Sequence, residues 1–330
     1  MTTLVASVLL TGIVAYGVFG GADFGTGLWD LTAGGAQRGA RPRALIDHAI
    51  GPVWEANHTW LIFCLVLLWT GFPTAFAAIM TTQYIPLGIA ALGIVLRGSG
   101  FAFRKVSMHT AEQRLNGVAF AASSVITPFC FGAVVGGIAS DRVPAAGHGD
   151  PLASWLNPTS IVGGVLAVLT CGYLAAIFLT AEAFRAGQPD LERWFRRRAM
   201  VAAVAAGITA LSGLFVLDHD AHRLYVRLLH VGWPFIAMSV IAGTAALLAT
   251  VRGRARLLRP LGVLAVAAVL VGWGAAQYPY LLGSQLSLTD AASPPATMTA
   301  LGVVTVAAAA LVGPSLVALF VLTNRGRLTG

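Results

Sequence analysis

The chain alternates long apolar runs with short polar connections. A helix needs about 20 mostly apolar residues to cross a bilayer, and nine runs of roughly that length lie at 4–29, 53–72, 75–96, 117–138, 159–183, 199–217, 228–249, 260–282 and 298–322. The pattern predicts an all-α integral membrane protein with nine transmembrane helices. Four runs precede the long connection at 139–158, and four more follow it before the last run. We therefore expect one membrane domain, 1–330, made of two parallel four-helix bundles (about 1–138 and 159–282) and a ninth helix at 298–322.

Composition agrees with a lipid environment. Hydrophobic residues make up 57% of the chain and charged residues only 10%, against about 25% charged residues in a soluble domain. The net charge of +8 comes from basic residues in the short connections between apolar runs. That distribution is typical of topology signals and of contact with anionic lipid head groups, and it argues against nucleic-acid binding.

The distribution of lysine and arginine predicts the orientation. The first, third, fifth and seventh connections carry sixteen of these residues, whereas the second, fourth, sixth and eighth carry three. Because basic connections stay in the cytoplasm, the N-terminus is expected outside and the C-terminus inside. Nine spans also require the two ends to lie on opposite sides, and Arg325 and Arg327 place positive charge on the predicted inner end.

Ionisable residues enter the first two apolar runs. Asp23 lies within the first run, and Glu55 and His58 lie at the start of the second, one helical turn apart on one helix face. A charged group at such a depth costs a few kcal/mol unless it is paired, hydrated or used in function, so these residues are functional candidates. The predicted topology places all three towards the cytoplasmic side, which indicates a buried proton or cation route.

Other charged and aromatic residues on this side have alternative interpretations. Arg97 ends the third run and is either a counter-charge for the acids or a positive-inside anchor. Asp30 and Glu182 are expected to reach water by snorkelling. Trp60 suits an interfacial aromatic belt or packing.

Metal and disulfide chemistry is not favoured. The three cysteines each lie within an apolar run without a CxxC neighbour, so we interpret them as small buried hydrophobes. His219 and His222, flanked by Asp218 and Asp220, have the composition of a metal site, but an exposed polar turn is the favoured interpretation. His58 lacks the further residues that would identify a haem ligand.

Three dispersed motifs resemble one known family. They are Gly21-Ala22-Asp23-Phe24-Gly25-Thr26-Gly27, Pro52-Val53-Trp54-Glu55-Ala56-Asn57-His58-Thr59-Trp60-Leu61-Ile62 and Leu96-Arg97-Gly98-Ser99-Gly100-Phe101-Ala102-Phe103-Arg104. A late segment, Tyr278-Pro279-Tyr280 followed by Ser287-Leu288-Thr289-Asp290-Ala291-Ala292-Ser293, resembles the penultimate loop of the same family. Together they resemble subunit II of the cytochrome bd-type quinol oxidases across essentially the whole chain.

The resemblance implies a multi-pass protein of the bacterial cytoplasmic membrane, paired with a haem-bearing subunit I. It implies that two haem b and one haem d lie in subunit I, that this chain binds no haem or metal and has no catalytic residue of its own, and that quinol and dioxygen are substrates of the complex. A structural quinone in some members, and a small accessory subunit, are further implied partners. Asp23 and Glu55 match acids of the family's proton path, with His58 and Arg97 as further candidates, and Trp60 matches an aromatic near the oxygen route of some members. Where Glu55 stands, the family often has aspartate.

A proton-coupled secondary transporter is the alternative of a different class. It would also need acids within the membrane and a hydrophobic chain of many spans. Transporter sites, however, usually lie near the midplane between repeats, at broken helices, whereas the acids here are predicted near one face.

Overall fold

The protein is almost entirely helical in a computed structural model. The structure describes the backbone of residues 1–35, 37–50, 54–106 and 110–324, and their side chains except at 50, 54–56, 101, 104–106, 110–116 and 312–324. The helices are α1 Thr2–Ala15, a π-helical turn Tyr16–Gly20, α2 Gly21–Leu31, α3 Ala40–Ile50, α4 Trp54–Gly71, α5 Pro73–Thr82, α6 Tyr84–Val106, α7 Thr110–Ala139, α8 Pro158–Arg185, α9 Pro189–Asp220, α10 His222–His230, α11 Trp233–Val251, α12 Ala255–Gln277, α13 Leu288–Ala291 and α14 Pro295–Asn324.

Within the described residues, six helices are long and apolar enough to cross a membrane. They are Thr2–Leu31, Gly117–Ala139, Pro158–Arg185, Pro189–Asp220, Trp233–Val251 and Ala255–Gln277. The bent pair Asn57–Gly71 and Pro73–Thr82 would be a seventh, and Tyr84–Gly100 and Pro295–Leu311 are shorter apolar helices. The protein is thus a multi-pass helical membrane protein, and the count of nine stays a prediction.

The predicted third span, 75–96, is wrong in its boundaries. The chain bends by 116° between α4 and α5, and α6 begins only at Tyr84. The cause is local: Phe72 leaves the helical conformation (φ −136°, ψ 61°) and Pro73 starts a new helix, because proline cannot continue an existing hydrogen-bond ladder. The apolar residues 75–82 therefore belong to a short separate helix.

Further boundaries differ from the apolar pattern. The predicted span 228–249 begins within α10, which ends at His230, whereas α11 begins only at Trp233, because Pro234 cannot continue the earlier helix. Helix α9 begins at Pro189, ten residues before the predicted span at 199, because the arginine-rich stretch is itself helical. Helix α12 ends at Gln277, short of the predicted 282. There the chain forms a two-stranded antiparallel hairpin, β1 Tyr280–Leu282 and β2 Leu286–Ser287.

The packing places α2 at the centre of the molecule. Helix α2 contacts both α7 and α8, α6 packs on α7, and α8 packs on α9 and α12. Leu174, Ile177 and Phe195 lie in the larger core cluster and are fully buried. By contrast, large apolar side chains such as Phe215 (75% exposed) and Ile241 (70%) point outwards, which suits contact with lipid rather than water.

Candidate functional site: a buried ion pair between the first, third and fourth apolar segments

Asp23 lies in the first turn of α2, directly after a change in helix type. Residues Tyr16–Gly20 form a π-helical turn between α1 and α2, and such turns occur frequently at functional sites. Asp23 is only 4% exposed. At 1.5 Å per residue it lies about 12 Å along the axis from Leu31, where α2 ends. The acid is therefore well inside the helical body.

Arg97 of α6 supplies the opposite charge. Its Nη2 atom lies 2.9 Å from Oδ1 of Asp23 and donates a second hydrogen bond, 2.8 Å long, to the Asp23 backbone carbonyl. Both side chains are 2% exposed. Of the two sequence interpretations of Arg97, the structure matches the counter-charge, because a positive-inside anchor would extend to water.

Helix α7 completes the surroundings of the guanidinium. Nη1 of Arg97 donates a hydrogen bond to the Ser124 hydroxyl oxygen, and the Ser124 hydroxyl donates to the Phe120 carbonyl. The guanidinium carbon also lies 4.4 Å from the Phe120 ring centroid and 5.0 Å from that of Phe24. These contacts replace water around a charge that would otherwise be too costly to bury.

Two glycines allow the helices to approach this closely. A Cβ on Gly25 would lie 1.9 Å from the Cys171 carbonyl oxygen on α8, and one on Gly27 would lie 2.2 Å from the Ser124 Oγ on α7. Small residues permit such close backbone contact between membrane helices. The Gly25-Thr26-Gly27 sequence therefore fits α2 between α7 and α8 and fixes the position of Asp23.

The second carboxylate oxygen of Asp23, Oδ2, is not engaged by Arg97. Oδ2 is buried and accepts no hydrogen bond from any described residue, and the buried hydroxyl of Tyr16 likewise has no partner there. An unsatisfied buried acceptor is costly, so Oδ2 is the atom of this site that is placed to accept a hydrogen bond from water.

The other predicted site residues are placed differently. The His58 ring packs edge-on against Phe24 and Tyr16, with centroid separations of 5.9 and 6.4 Å, so it adjoins the ion pair. Trp60 packs edge-on against Phe63 at 6.3 Å. The side chain of Glu55 lies outside the described residues.

The snorkelling interpretation of Asp30 is wrong. The Asp30 side chain is only 6% exposed, and its Oδ1 accepts a 2.7 Å bond from Nε of Arg43. Arg43 also donates to the Gly34 carbonyl and so ties the first connection to the end of α2. Glu182 is 26% exposed and pairs with Arg259 at 3.0 Å and Arg185 at 3.3 Å.

The opposite end of the helices carries a separate polar cluster. Both Asp220 carboxylate oxygens accept hydrogen bonds from Arg142, at 2.6 and 3.1 Å, and the Thr159 hydroxyl donates to Asp220 Oδ2 at 2.6 Å. Asp220 is thus engaged in a structural ion pair that joins α9 to α8 and the 139–158 connection. Among the described residues, no group of three or more histidine, cysteine or acidic side chains is arranged to hold a metal ion.

Sequence reasoning missed Tyr16 and Ser124. The sequence does indicate Ser124, because it belongs to a Ser123-Ser124 pair within the fourth apolar run. Polar residues in membrane helices often form hydrogen bonds between helices. Tyr16 has no comparable signal, because the π-helical turn that orients it follows from packing.

The fold and the site together define a multi-pass helical membrane protein with a charged pair sealed among its first, third and fourth apolar segments. Residues 1–323 match the family described as "Cytochrome bd terminal oxidase subunit II". The chain belongs to that family.

Individual relatives are distant. The chain is 26% identical over 228 residues to "Cytochrome bd ubiquinol oxidase subunit 2" of Bacillus subtilis (67% of this chain, 64% of the relative). It is 24% identical over 319 residues to that organism's "Putative cytochrome bd menaquinol oxidase subunit II" (90% and 88%). With "Cytochrome bd-I ubiquinol oxidase subunit 2" of Escherichia coli K12 it shares 23% identity over 218 residues (63% and 56%). The matched part is thus less than two thirds of the first and third relatives.

A solved structure has the same fold. A chain from "The structure of bd oxidase from Geobacillus thermodenitrificans" superposes with a TM-score of 0.77, at 23% identity, over 98% of each chain. Together with the six membrane-length apolar helices, family membership places the chain in the bacterial inner membrane as a multi-pass protein.

Proposed function

We propose that this chain is the haem-free second subunit of a quinol:oxygen oxidoreductase complex, in which it stabilises a haem-bearing subunit I and contributes to the cytoplasmic proton path for reduction of dioxygen to water. Membership of the subunit II family supports this role. Quinol and dioxygen are then substrates of the complex, two haem b and one haem d belong to subunit I, and a structural quinone or a small accessory subunit is an additional component.

The observation that carries the proton-path proposal is the buried carboxylate of Asp23. One of its oxygens is engaged by Arg97, while Oδ2 is buried without a partner among the described residues. The engaged oxygen fixes the geometry of the group, and the other is available to a water molecule or to a neighbouring acid. Glu55, at the start of α4, is the proposed second member of the path, and His58 and Arg97 assist.

The direction of proton uptake follows from the proposed topology. With the N-terminus outside and the C-terminus inside, the connection after α2 and the start of α4 lie in the cytoplasm, so Asp23 and Glu55 are closer to the inner surface. Protons consumed in oxygen reduction would enter there, while quinol releases protons outside. Electron transfer would then build a proton-motive force without a pump.

The proposed arrangement of spans is nine, in two parallel four-helix bundles with the ninth helix apart. It requires α6 and α14 to cross the membrane in addition to the six long helices and α4. Packing of α6 on α7, and of α9 and α12 on α8, is consistent with two groups that meet where α2, α7 and α8 contact one another.

Haem ligation by this chain has little support from the surroundings of His58, which is partly buried. An axial haem ligand needs a ring nitrogen that faces the flat porphyrin, whereas His58 packs against the rings of Tyr16 and Phe24. Expressed alone, the chain should therefore purify without haem or fail to accumulate. A stoichiometric Soret band from the isolated chain would contradict the proposal.

The decisive experiment compares Glu55→Gln, Glu55→Asp and the parental chain in the complete oxidase. Glutamine keeps the shape and the hydrogen-bonding capacity but removes the titratable proton, so quinol-driven oxygen consumption should fall while haem content and assembly stay normal. Aspartate should retain much of the activity, because the carboxylate remains. Parental turnover of an assembled Glu55→Gln complex across pH 6 to 8 would show that this acid carries no protons.

The transporter alternative is less well supported. The chain belongs to a family of oxidase subunits. Transporter sites usually lie at broken helices, whereas the buried pair of Asp23 and Arg97 joins α2 to α6 and the sharp bend of 116° lies between α4 and α5. Purified complex that consumed oxygen only when quinol was supplied would separate the two functions.

A further inference from the structure

A cluster of arginines lies at the end of the molecule that carries the basic connections. The segments 182–198 and 252–259 contain nine arginines and three acids. They form the end of α8, the start of α9 and the turn between α11 and α12. The positive-inside rule assigns this end to the cytoplasm.

The turn at Gly253 brings three of these arginines together. Gly253 has a positive φ of 69°, which tightens the connection between α11 and α12. A Cβ at Gly253 would lie 3.0 Å from Nη1 of Arg196. The Arg196 guanidinium therefore lies against the turn that carries Arg252 and Arg254, which are both exposed.

These three arginines lack the partners that their neighbours have. Arg193 pairs with Asp190 at 2.7 Å, and Arg185 and Arg259 share Glu182. The side chains of Arg196, Arg252 and Arg254 form no ion pair or hydrogen bond with any described residue. Adjacent like charges repel, so this arrangement favours an anion that accepts from several guanidinium groups at once.

A shallow and open apolar groove on the surface of α9 continues from Arg196 along the same helix. It is lined by Met200, Val201, Val204, Ala205 and Ile208 of α9. With Arg197 these residues follow the i, i+3, i+4, i+7 spacing of one helix face. Arg197 lies about 35 Å along the axis from Asp220 at the other end of α9, so the arginines are at the level of lipid head groups and the groove is at the level of acyl chains.

We propose that this surface is a binding site for an anionic phospholipid. The phosphate is held by Arg196, Arg252 and Arg254, and one acyl chain lies in the groove on α9. The charge selects an anionic head group over a zwitterionic one, and the groove selects a lipid over free phosphate.

The test measures lipids retained by the intact complex. Parental complex, an Arg196→Gln/Arg254→Gln variant and an Arg38→Gln/Arg41→Gln control are purified in detergent, titrated with phosphatidylglycerol or phosphatidylcholine, and examined by native mass spectrometry. The control removes the same charge from exposed arginines of the first connection. At roughly a fivefold loss of affinity per arginine, the first variant should bind phosphatidylglycerol about twenty-five-fold more weakly, and the control should be unchanged.

Two further arms identify the ligand. Inorganic phosphate should displace phosphatidylglycerol only weakly, and Met200→Ala/Val204→Ala should weaken lipid binding without affecting phosphate binding. Equal losses in the cluster variant and the control would mean diffuse attraction to charge and would overturn the proposal. It would also fail if neither variant changed the lipid count, as expected if a protein partner covers this face, or if free phosphate bound as tightly as the lipid.

Discussion

The ion pair of Asp23 and Arg97 makes a sharp prediction about single and double substitutions. Both charges are almost completely buried, and the pair is joined by a 2.9 Å contact. Removal of one partner from a buried pair leaves an uncompensated charge and typically costs about 3–5 kcal/mol, whereas replacement of both by neutral groups is often close to neutral. Asp23→Asn and Arg97→Met should each destabilise the complex strongly, and the double variant should lose clearly less than the sum of the two single losses.

The size of the coupling follows from the contacts. Arg97→Met also removes the hydrogen bonds to the Asp23 carbonyl and to Ser124, but the Ser124 hydroxyl keeps its bond to the Phe120 carbonyl. The double variant should therefore not be fully parental. We expect a coupling energy of about 2–3 kcal/mol, near the upper end for contacting residues.

The assay is thermal inactivation of the purified complex, with assembly followed by haem content and size-exclusion chromatography. Arg193→Met and Asp190→Asn provide a matched control, because this i, i+3 pair is joined by 2.7 Å but is 64–65% exposed and such pairs contribute little. Additive losses at Asp23 and Arg97 would refute the argument that the pair is buried and mutually compensating.

The same cycle separates stability from proton transfer. Slow turnover of the Asp23→Asn variant alone is ambiguous, since it would follow from loss of the carboxylate and equally from structural damage around an unpaired Arg97. If the assembled double variant still turns over slowly while it carries the normal haem content, turnover requires the carboxylate of Asp23. If the double variant turns over at the parental rate, Asp23 has a structural role only, and the proton path must rest on Glu55.

Two other predictions concern packing and topology. Gly25→Ala should prevent accumulation of the complex in membranes, because the new Cβ would lie 1.9 Å from the backbone of α8. Gly88→Ala is the control and should accumulate normally, because its Cβ would meet no atom within 4 Å. Equal yields of the two variants would contradict the close contact. A reporter that is active only in the cytoplasm should be active when it is inserted at Gly187, in the turn between α8 and α9. The same reporter should be inactive at Gly147, in the connection between α7 and α8. The reverse pattern would exclude the proposed orientation.

The apolar pattern predicted some helices closely and others poorly, for a physical reason. The predicted span 159–183 corresponds to α8, Pro158–Arg185. A single apolar run bounded by polar loops satisfies its backbone hydrogen bonds in a membrane only as one continuous helix. The 75–96 run was misassigned because hydropathy reports apolarity and not chain direction. The bend depends on Phe72 and Pro73, and buried Gln83 after it donates to the carbonyl of Ser154, 71 residues away.

The candidate site was predictable as a set of residues but not as a geometry. Asp23 stood out as an acid in an apolar run, and Arg97 as a nearby counter-charge. Their contact spans 74 residues, and either acid was an equally good partner in the sequence. Burial of Asp30 was missed for the same reason, since Arg43 reaches it only when α3 folds back towards the end of α2.

The glycines near Asp23 are as much a part of the site as the charges. Gly25 faces α8 and Gly27 faces α7. At these two positions the backbone of α2 therefore contacts the neighbouring helices directly, without a side chain of its own between them. Asp23 lies less than one turn before Gly25, and the same close fit excludes lipid and bulk water from it and keeps the carboxylate within reach of Arg97 on α6. A bulkier residue at either glycine would separate the helices, hydrate the ion pair and weaken the electrostatic interaction that holds it. The Gly-rich sequence after Asp23 thus follows from the need to bury a charged pair where three helices meet.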